Sequence, residues 1–137
     1  MLITTIKKKI FELITRLGYT VKDTPESEND TPWIKLSLAT VLKQYLKDGS
    51  FKHSLSFRLD VFSDYNGEAE ILEIEDNITS HISEIYELQE VLGITTNFRI
   101  IDDKSTGVVK KHGIITYNII VGGKEQEVED ETDTSGE

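Results

Sequence analysis

The 137-residue sequence contains no cysteine, only two prolines and one tryptophan, and no long apolar run. Without cysteine the chain cannot form disulfides, thiolate zinc sites or a cysteine nucleophile. No apolar stretch approaches the ~20 residues that span a bilayer, so we expect no membrane association. A cluster at Lys7, Lys8 and Lys9 interrupts the apolar N-terminus, and no small-residue cleavage site follows. These features argue against a signal peptide.

Basic residues are scarce relative to acidic ones, 15 against 25, and the imbalance is concentrated at the C-terminus. Residues 123–137 hold seven acids and one base, which is −6 of the formal net charge of −10. This segment has no hydrophobic periodicity and cannot bury enough apolar surface to offset its ordering entropy. We therefore predict one α+β domain over residues 1–122 and a disordered acidic tail over residues 123–137. An acidic chain is also a poor nucleic-acid binder, because duplex affinity depends on Lys and Arg.

Apolar residues spaced by three and four predict an N-terminal helix that ends at Gly18. They are Leu2, Ile3, Ile6, Ile10, Leu13, Ile14 and Leu17. A short strand is expected at residues 19–22. A second helical pattern starts near Ile71 and is expected to close at Gly93. Thr79 and Ser80 weaken its middle, so two helices with a break between them are an alternative to one.

Two alternating apolar runs between Pro32 and Tyr65 flank the sequence Lys-Asp-Gly-Ser at residues 47–50, a strong hairpin signal. A type I′ turn centred on Asp48 and Gly49 predicts a register with one apolar face. The predicted pairs on that face are Leu46 with Phe51, Leu42 with Leu55, Thr40 with Phe57, Leu38 with Leu59, and Leu36 with Val61. The opposite, polar face pairs Tyr45 with Lys52 and Lys43 with Ser54. Such strands exceed the usual ~5–6 residues, so we expect the tip to reach past the core and touch another molecule.

Two further strands are predicted at residues 95–102 and 108–122, joined by residues 103–107. Phe98 and Ile100 share a face of the first strand. Ile115, Tyr117, Ile119 and Val121 share a face of the second. Several turn choices give acceptable faces, so the register of this hairpin stays open. The order α-β-β-β-α-β-β predicts an α+β fold, a mostly antiparallel sheet with long hairpins covered on one face by the N-terminal and central helices.

No catalytic or cofactor-binding motif is recognisable, and we predict no catalytic residue, cofactor or metal. His53, His81 and His112 lack the spacing of metal ligands. A metal-dependent nuclease using Asp60 with Glu68 or Glu70 is one alternative, although a helix N-terminus favours acids by its dipole alone. The candidate protein-contacting residues lie at the two hairpin tips. They are Lys43, Lys47, Asp48, Ser50 and Lys52 on the first hairpin, and Lys104, Ser105, Thr106 and Lys110 on the second.

The stretch SFRLDVFSDYNGEAEILEIEDNI, residues 56–78, resembles the corresponding segment of tail terminator, or tail completion, proteins of long-tailed, siphovirus-like bacteriophages. In that family an alternating strand ends in an aromatic or acidic pair. A glycine-containing turn then leads into a helix that begins with acids and alanine. The order of the surrounding elements is also similar over residues 1–122, whereas the acidic tail lies outside the resemblance.

The resemblance implies a structural virion protein, not an enzyme, that is assembled in the host cytoplasm. It would form a ring, commonly a hexamer, at the head-proximal end of the tail tube, where it stops tube polymerisation. The implied partners are other copies of the chain, the tail tube protein and the head-completion or connector protein. DNA would pass through the lumen without specific binding. The residues alone also allow an assembly adaptor that binds one protein partner as a monomer or small oligomer.

Overall fold

The computed structural model describes residues 2–22, 32–63, 68–103 and 110–124. The elements in these ranges are α1 (Leu2–Arg16), β1 (Trp33–Tyr45), β2 (Ser50–Ser63), α2 (Ala69–Thr79), a 3₁₀-helix (Ile82–Glu87), β3 (Val91–Asp103) and β4 (Lys110–Lys124). This arrangement confirms the predicted α+β class. The segment expected to form a short strand contributes only a single parallel bridge between Val21 and Ile34. Within the described ranges, no helix combines the length and apolar content needed to span a bilayer.

Helix α1 buries one apolar stripe and ends where the sequence predicts. Its fully or almost fully buried residues are Ile6, Ile10, Leu13 and Ile14. Gly18 has a φ of +99°, a left-handed conformation that glycine adopts without steric penalty. The Gly18 N–H donates to the Thr15 carbonyl at 3.0 Å, and the Tyr19 N–H donates to the Ile14 carbonyl at 3.2 Å. Both carbonyls at the helix end are therefore satisfied, as in a Schellman motif.

The central helix breaks at the predicted position. Helix α2 ends at Thr79, and a separate 3₁₀-helix follows from Ile82. At the break, the Ser80 hydroxyl and the His81 ring nitrogen both bind the Asn77 carbonyl, at 3.0 and 2.8 Å. Side-chain bonds of this kind compete with regular helical pairing. The expected closure at Gly93 is wrong, because β3 already begins at Val91 and Gly93 lies at an irregularity within that strand.

The sheet has the strand order β1-β2-β4-β3, with β2 and β4 at its centre. Alternate residues of each strand face the helices, and we call this side the helix-covered face. Its fully buried central residues are Leu55, Phe57, Leu59, Val61, Ile115, Tyr117 and Ile119. The predicted face of the last strand is thereby confirmed. Strand β4 continues to Lys124, so two residues assigned to the tail are part of the sheet, while residues 125–137 lie outside the described residues.

The first hairpin is present, but its turn is not of type I′. Leu46 N–H donates to the Ser50 carbonyl at 2.9 Å, and Gly49 N–H donates to the Leu46 carbonyl at 3.1 Å. Gly49 has a φ of +87°, whereas no non-glycine residue in the described ranges, Asp48 included, has a positive φ. A type I′ turn requires positive φ at both central residues, so the chain forms a three-residue turn with a left-handed glycine instead. The pairing is shifted by one residue as a result.

The shift inverts the outer half of β1 relative to the prediction, because side chains alternate between faces with a period of two. Leu42 pairs with Ser54 instead of Leu55, and Tyr45 pairs with Phe51. A second irregularity between Leu38 and Thr40 shifts the pairing again. The predicted partners of the inner half are therefore wrong, although its apolar residues keep the expected face. The corrected pairs are Leu36 with Leu59, Leu38 with Phe57, and Thr40 with Ser56.

Candidate protein-binding surfaces

The hairpin between β1 and β2 is longer than the helices that cover it. Its 13-residue strand β1 spans ~43 Å at the usual rise of a β-strand, whereas the 15-residue helix α1 spans only ~22 Å. Burial along β1 follows this difference, since Leu36 is 5% exposed and Leu42 is 66% exposed. We call residues 38–54 the distal ribbon.

The distal ribbon exposes apolar side chains on both of its faces. Leu42 points to the side of the sheet opposite the helices, which we call the helix-free face, and Tyr45 points to the other side with 58% of its surface exposed. Leu46, next to the turn, is 44% exposed. Large exposed apolar side chains are typical of surfaces that bind another protein, so the distal ribbon is a candidate for such a surface. The sequence predicted a tip that reaches past the core and placed Leu42 and Leu46 on its apolar face. It did not indicate how far the helices reach, so it could not show which of these side chains are exposed.

His53 lies within the distal ribbon, among aromatic side chains. Its ring centroid is 4.6 Å from that of Phe51 and 5.2 Å from that of Tyr45. Its Nδ1 accepts a hydrogen bond from the Gln44 backbone N–H at 3.2 Å. His53 is therefore a half-buried, packed residue of the distal ribbon.

Strand β1 has an open outer edge beyond its first residues. Ile34 N–H donates to the Thr20 carbonyl at 2.8 Å, and Lys22 N–H donates to the Ile34 carbonyl at 2.9 Å. In the described part of the chain, no strand pairs with this edge after Ile34. Open edges present backbone donors and acceptors that pair readily with another chain. The edge therefore adds a backbone component to the surface of the distal ribbon.

Two of the predicted tip residues stabilise the turn itself. The Asp48 carboxylate oxygen Oδ1 accepts hydrogen bonds from the Ser50 N–H at 3.0 Å and the Ser50 hydroxyl at 2.5 Å. These bonds lower the pKa of Asp48, which is exposed. Lys47 is also exposed at the turn. Lys43 and Lys52, predicted on one polar face, lie on opposite faces because of the register shift.

Lys110, the described member of the second set of tip residues, is not brought near the first set. Ser50 pairs with Lys124 at one end of the sheet, and Ser63 pairs with Lys111 at the other. Lys110, half-buried at the start of β4, pairs with Asp103 at that second end. Lys104, Ser105 and Thr106 lie outside the described residues. The two ends of the 14-residue strand β2 are ~45 Å apart, so Lys110 and the first set belong to separate surfaces.

The helix-free face carries a packed cluster at the end of the sheet remote from the distal ribbon, which sequence reasoning missed. Trp33 stacks on Phe62 with ring centroids 4.5 Å apart, and Phe62 stacks on His112 at 4.4 Å. Asp60 is 6% exposed and accepts hydrogen bonds from Arg58 at 2.8 to 3.2 Å and from His112 at 2.9 Å. The cluster supplies the Arg58 cation and a His112 hydrogen bond to a buried carboxylate, which would be costly without partners.

The candidate nuclease residues are separated by the sheet. Asp60 lies on the helix-free face, whereas Glu70 belongs to α2 and accepts a hydrogen bond from the hydroxyl of Ser63, whose side chain lies on the helix-covered face. Glu68 is exposed before the first turn of α2. Across the described ranges, no three His, Asp or Glu side chains are placed together to hold a metal ion.

Comparison with solved structures finds a similar fold in a chain of a particle described as the virion of a native gene transfer agent. The TM-score is 0.55 and the sequence identity 15%, and the match covers 85% of this chain and 92% of that chain. At this identity the likeness establishes the fold alone. No family model and no curated protein sequence matches the chain.

Proposed function

We propose that the chain is a structural subunit of a phage-like virion, and specifically a tail terminator that forms a hexameric ring at the head-proximal end of the tail tube. The observation that carries the proposal is the distal ribbon, which exposes Leu42 on one face and Tyr45 on the other. An isolated subunit leaves this apolar surface in water, whereas a ring of subunits covers it. The similar fold in a gene transfer agent virion supports the same class of protein.

The ring contact follows from the shape of the subunit. A closed ring needs two different patches on each subunit, one meeting the other on the next copy. The distal ribbon supplies one patch, and its open β1 edge can extend the sheet of a neighbour through backbone hydrogen bonds. The distal ribbon lies at one end of the sheet, and the core that would supply the second patch lies at the other end. Because the two patches differ, the contact is head-to-tail and not two-fold symmetric.

The two ends of the sheet suit two different partners. We assign one end to the tail tube protein and the other to the head-completion or connector protein, because their exposed groups are ~45 Å apart. Covering the free end of the tube would stop its polymerisation and join the tail to the head. The formal net charge of −10 disfavours strong binding to DNA, which would pass through the lumen unbound.

The proposal is tested by measuring the mass and shape of the full-length protein, alone and with purified tail tubes. Mass photometry should detect a species of about 94 kDa, six copies of the 15.6-kDa chain, and negative-stain electron microscopy should show rings at tube ends. Leu42→Asp should abolish the ring. Leu72→Asp is the matched control, because Leu72 is also exposed, at 47%, but lies on α2. A monomer that binds one protein partner and never decorates tube ends would overturn the ring and favour an adaptor.

A further inference from the structure

A groove separates the first half of α1 from the outer edge of β1. Its volume is about 420 Å³. Three apolar side chains line it, Phe11, Val21 and Leu36, and three lysines belong to the same lining, Lys7, Lys8 and Lys22. The groove therefore combines an apolar floor with positive charge, although the whole chain is strongly acidic.

The charges of Lys7 and Lys8 are not paired with an acid in the part of the chain that the structure describes. No Asp or Glu is among the lining residues in the described part of the chain. In the same part of the chain, neither Lys7 nor Lys8 forms an ion pair, whereas the next lysine, Lys9, binds Glu87 at 3.0 Å on the far side of the helix. The first turn of α1 contains no acidic residue that would complement the helix dipole. An acidic segment would therefore be attracted to this groove.

The chain itself contains a segment of the required composition. Residues 125–137 follow directly after β4 and carry seven acids and no base. Glutamates recur at every second position from 125 to 131, which puts them on one side of an extended chain. Val128 lies on the other side and is the only aliphatic residue of the segment. An extended peptide of this pattern can place its glutamates against the lysines and Val128 against the apolar floor.

The extended length of the segment decides whether it can occupy the groove of its own chain or only that of another copy. Lys124 pairs with Ser50, whereas Leu36 of the groove pairs with Leu59, nine residues further along β2. That separation is ~30 Å along the strand, to which two strand spacings add a sideways step of ~10 Å. The seven residues from 125 to 131 span at most ~24 Å when fully extended. Five of the seven acids therefore cannot reach the groove of their own chain.

We infer that residues 125–137 of one subunit bind in the groove between α1 and β1 of a neighbouring subunit. This inference rests on the proposed function in that it needs subunits placed side by side. The contact is head-to-tail, because the donor end of one copy meets the groove of the next, and it has the symmetry that a closed ring requires. The acidic segment then acts as a strap that links consecutive subunits.

Zero-length cross-linking of the full-length chain tests the contact. A carbodiimide joins a lysine amine to a carboxylate only when the two are in contact. Chains grown in ¹⁴N and ¹⁵N media are mixed in equal amounts, cross-linked and digested with trypsin. Trypsin leaves residues 125–137 in one peptide, since Lys124 precedes them and none of them is Lys or Arg. We expect this peptide to be joined to Lys7, Lys8 or Lys22 with the two halves carrying different labels.

Three other results would contradict the inference. Cross-links in which both halves always carry the same label would place the segment in the groove of its own chain. Cross-links confined to Lys43, Lys47 and Lys52 would place it on the distal ribbon instead. A lack of any cross-link to the segment, under conditions where Lys9 is joined to Glu87, would show that the segment is not in contact with a lysine.

Exchanging the charges gives a second test that does not depend on native lysines. One chain carries Lys7→Glu and Lys8→Glu, and the other carries Glu127→Lys and Glu129→Lys. The first variant alone should lose the cross-links at positions 7 and 8. Mixing the two variants should restore a cross-link between these positions and positions 127 and 129, with the lysine now on the C-terminal segment and the carboxylate now in the groove. Failure of this rescue would overturn the inference. Lys35→Glu, at an exposed position outside the groove lining, is the control and should leave the native cross-links unchanged.

The two proposals fail in distinguishable ways. Closed rings seen by electron microscopy without mixed-label cross-links would remove the strap and leave the terminator proposal intact. Mixed-label cross-links between subunits that form open chains or dimers would retain the strap and remove the closed ring.

Discussion

The Nε2 atom of His112 lies 2.9 Å from Oδ1 of Asp60, and Arg58 binds the same carboxylate from the other side. The contact joins neighbouring central strands, because Asp60 belongs to β2 and His112 to β4. It places a nearly buried negative charge between two cationic or proton-donating side chains. The helix-free face is therefore anchored at one end of the sheet by a cluster in which a buried carboxylate adjoins an aromatic stack.

Removing the Asp60 carboxylate should destabilise the fold. Asp60→Ala leaves Arg58 and His112 without their shared acceptor. Breaking a buried ion pair in this way lowers the free energy of unfolding by ~3 kcal/mol. We expect a somewhat smaller loss here, because Arg58 is partly exposed. Urea denaturation followed by circular dichroism measures the change. Glu87→Ala breaks the exposed pair with Lys9 and should cost ~0.5 kcal/mol. Equal losses in the two variants would contradict a structural role for the Asp60 cluster.

Tyr117 should make the protein sensitive to high pH. Burial raises the pKa of Tyr117 to about 12, and the hydroxyl is 2.8 Å from that of Thr79. Its folded pKa exceeds the unfolded value of about 10, so the unfolded chain loses this proton first as the pH rises. The stabilisation is complete below pH 10 and is lost between about pH 10 and 12.

Absorbance at 295 nm checks this prediction, since it follows tyrosine ionisation directly. We expect a late ionisation step near pH 12 in the native protein and its loss in Tyr117→Phe. Tyr45→Phe is the control, because Tyr45 is exposed and its removal should leave the late step in place. A native protein without any step above pH 11 would refute the buried environment of Tyr117.

The turn of the first hairpin should depend on Gly49. At a φ of +87° a Cβ atom is strained, so Gly49→Ala should destabilise the protein by ~1 kcal/mol. Gly93→Ala is the matched control, because Gly93 also lies in the sheet region but has an ordinary φ and no atom within 4 Å of an added Cβ. Thermal unfolding of both variants measures the difference, and an unchanged melting temperature in Gly49→Ala would exclude the left-handed turn.

Close packing between α2 and the sheet should make Gly113 intolerant of a side chain. A Cβ at Gly113 would lie 2.5 Å from Cγ2 of Ile71, so Gly113→Ala should cost ~2 kcal/mol. A double-mutant cycle with Ile71→Ala isolates this contact. In the Ile71→Ala background the added methyl group should cost little or should stabilise. Additive losses would show that the strain arises elsewhere.

Local patterns were sufficient to predict much of the fold. The helical stripe ending at Gly18, the break after Thr79 and the buried face of β4 each depend on residues close together in the sequence. Such features follow from periodicity and end signals, which a single segment contains in full. The α+β class then follows from the order of the segments.

The register of the first hairpin could not be predicted in the same way, because it depends on single dihedral angles. Asp48 and Gly49 are compatible with more than one turn, and the negative φ of Asp48 selects the three-residue form. The irregularity after Leu38 has no residue signal of its own. The turn reversed the expected faces of Lys43 and Leu42, and the irregularity returned the inner half of β1 to its expected face.

Prediction of the candidate surfaces would have required information about parts of the chain that are distant in sequence. The exposure of Leu42 depends on where α1 stops relative to β1, and the contact between Asp60 and His112 depends on β2 and β4 being neighbours. Neither relation is encoded in one segment. Lys47 was recognised as exposed because turn residues are exposed in most folds, and the overhang of the tip followed from the length of the strands. The apolar side chains that the overhang exposes, Leu42 among them, could not be identified from the strands alone.

The open edge of β1 has a consequence for the free chain in solution. In the part of the chain that the structure describes, it presents unpaired backbone groups next to Leu42 and Tyr45, a combination that promotes irregular stacking of sheets at high concentration. The formal charge of −10 opposes such stacking, since equal charges on two subunits repel each other at long range. The acidic composition thus acts as a safeguard during synthesis, and dilute, low-salt conditions should preserve the unassembled chain best.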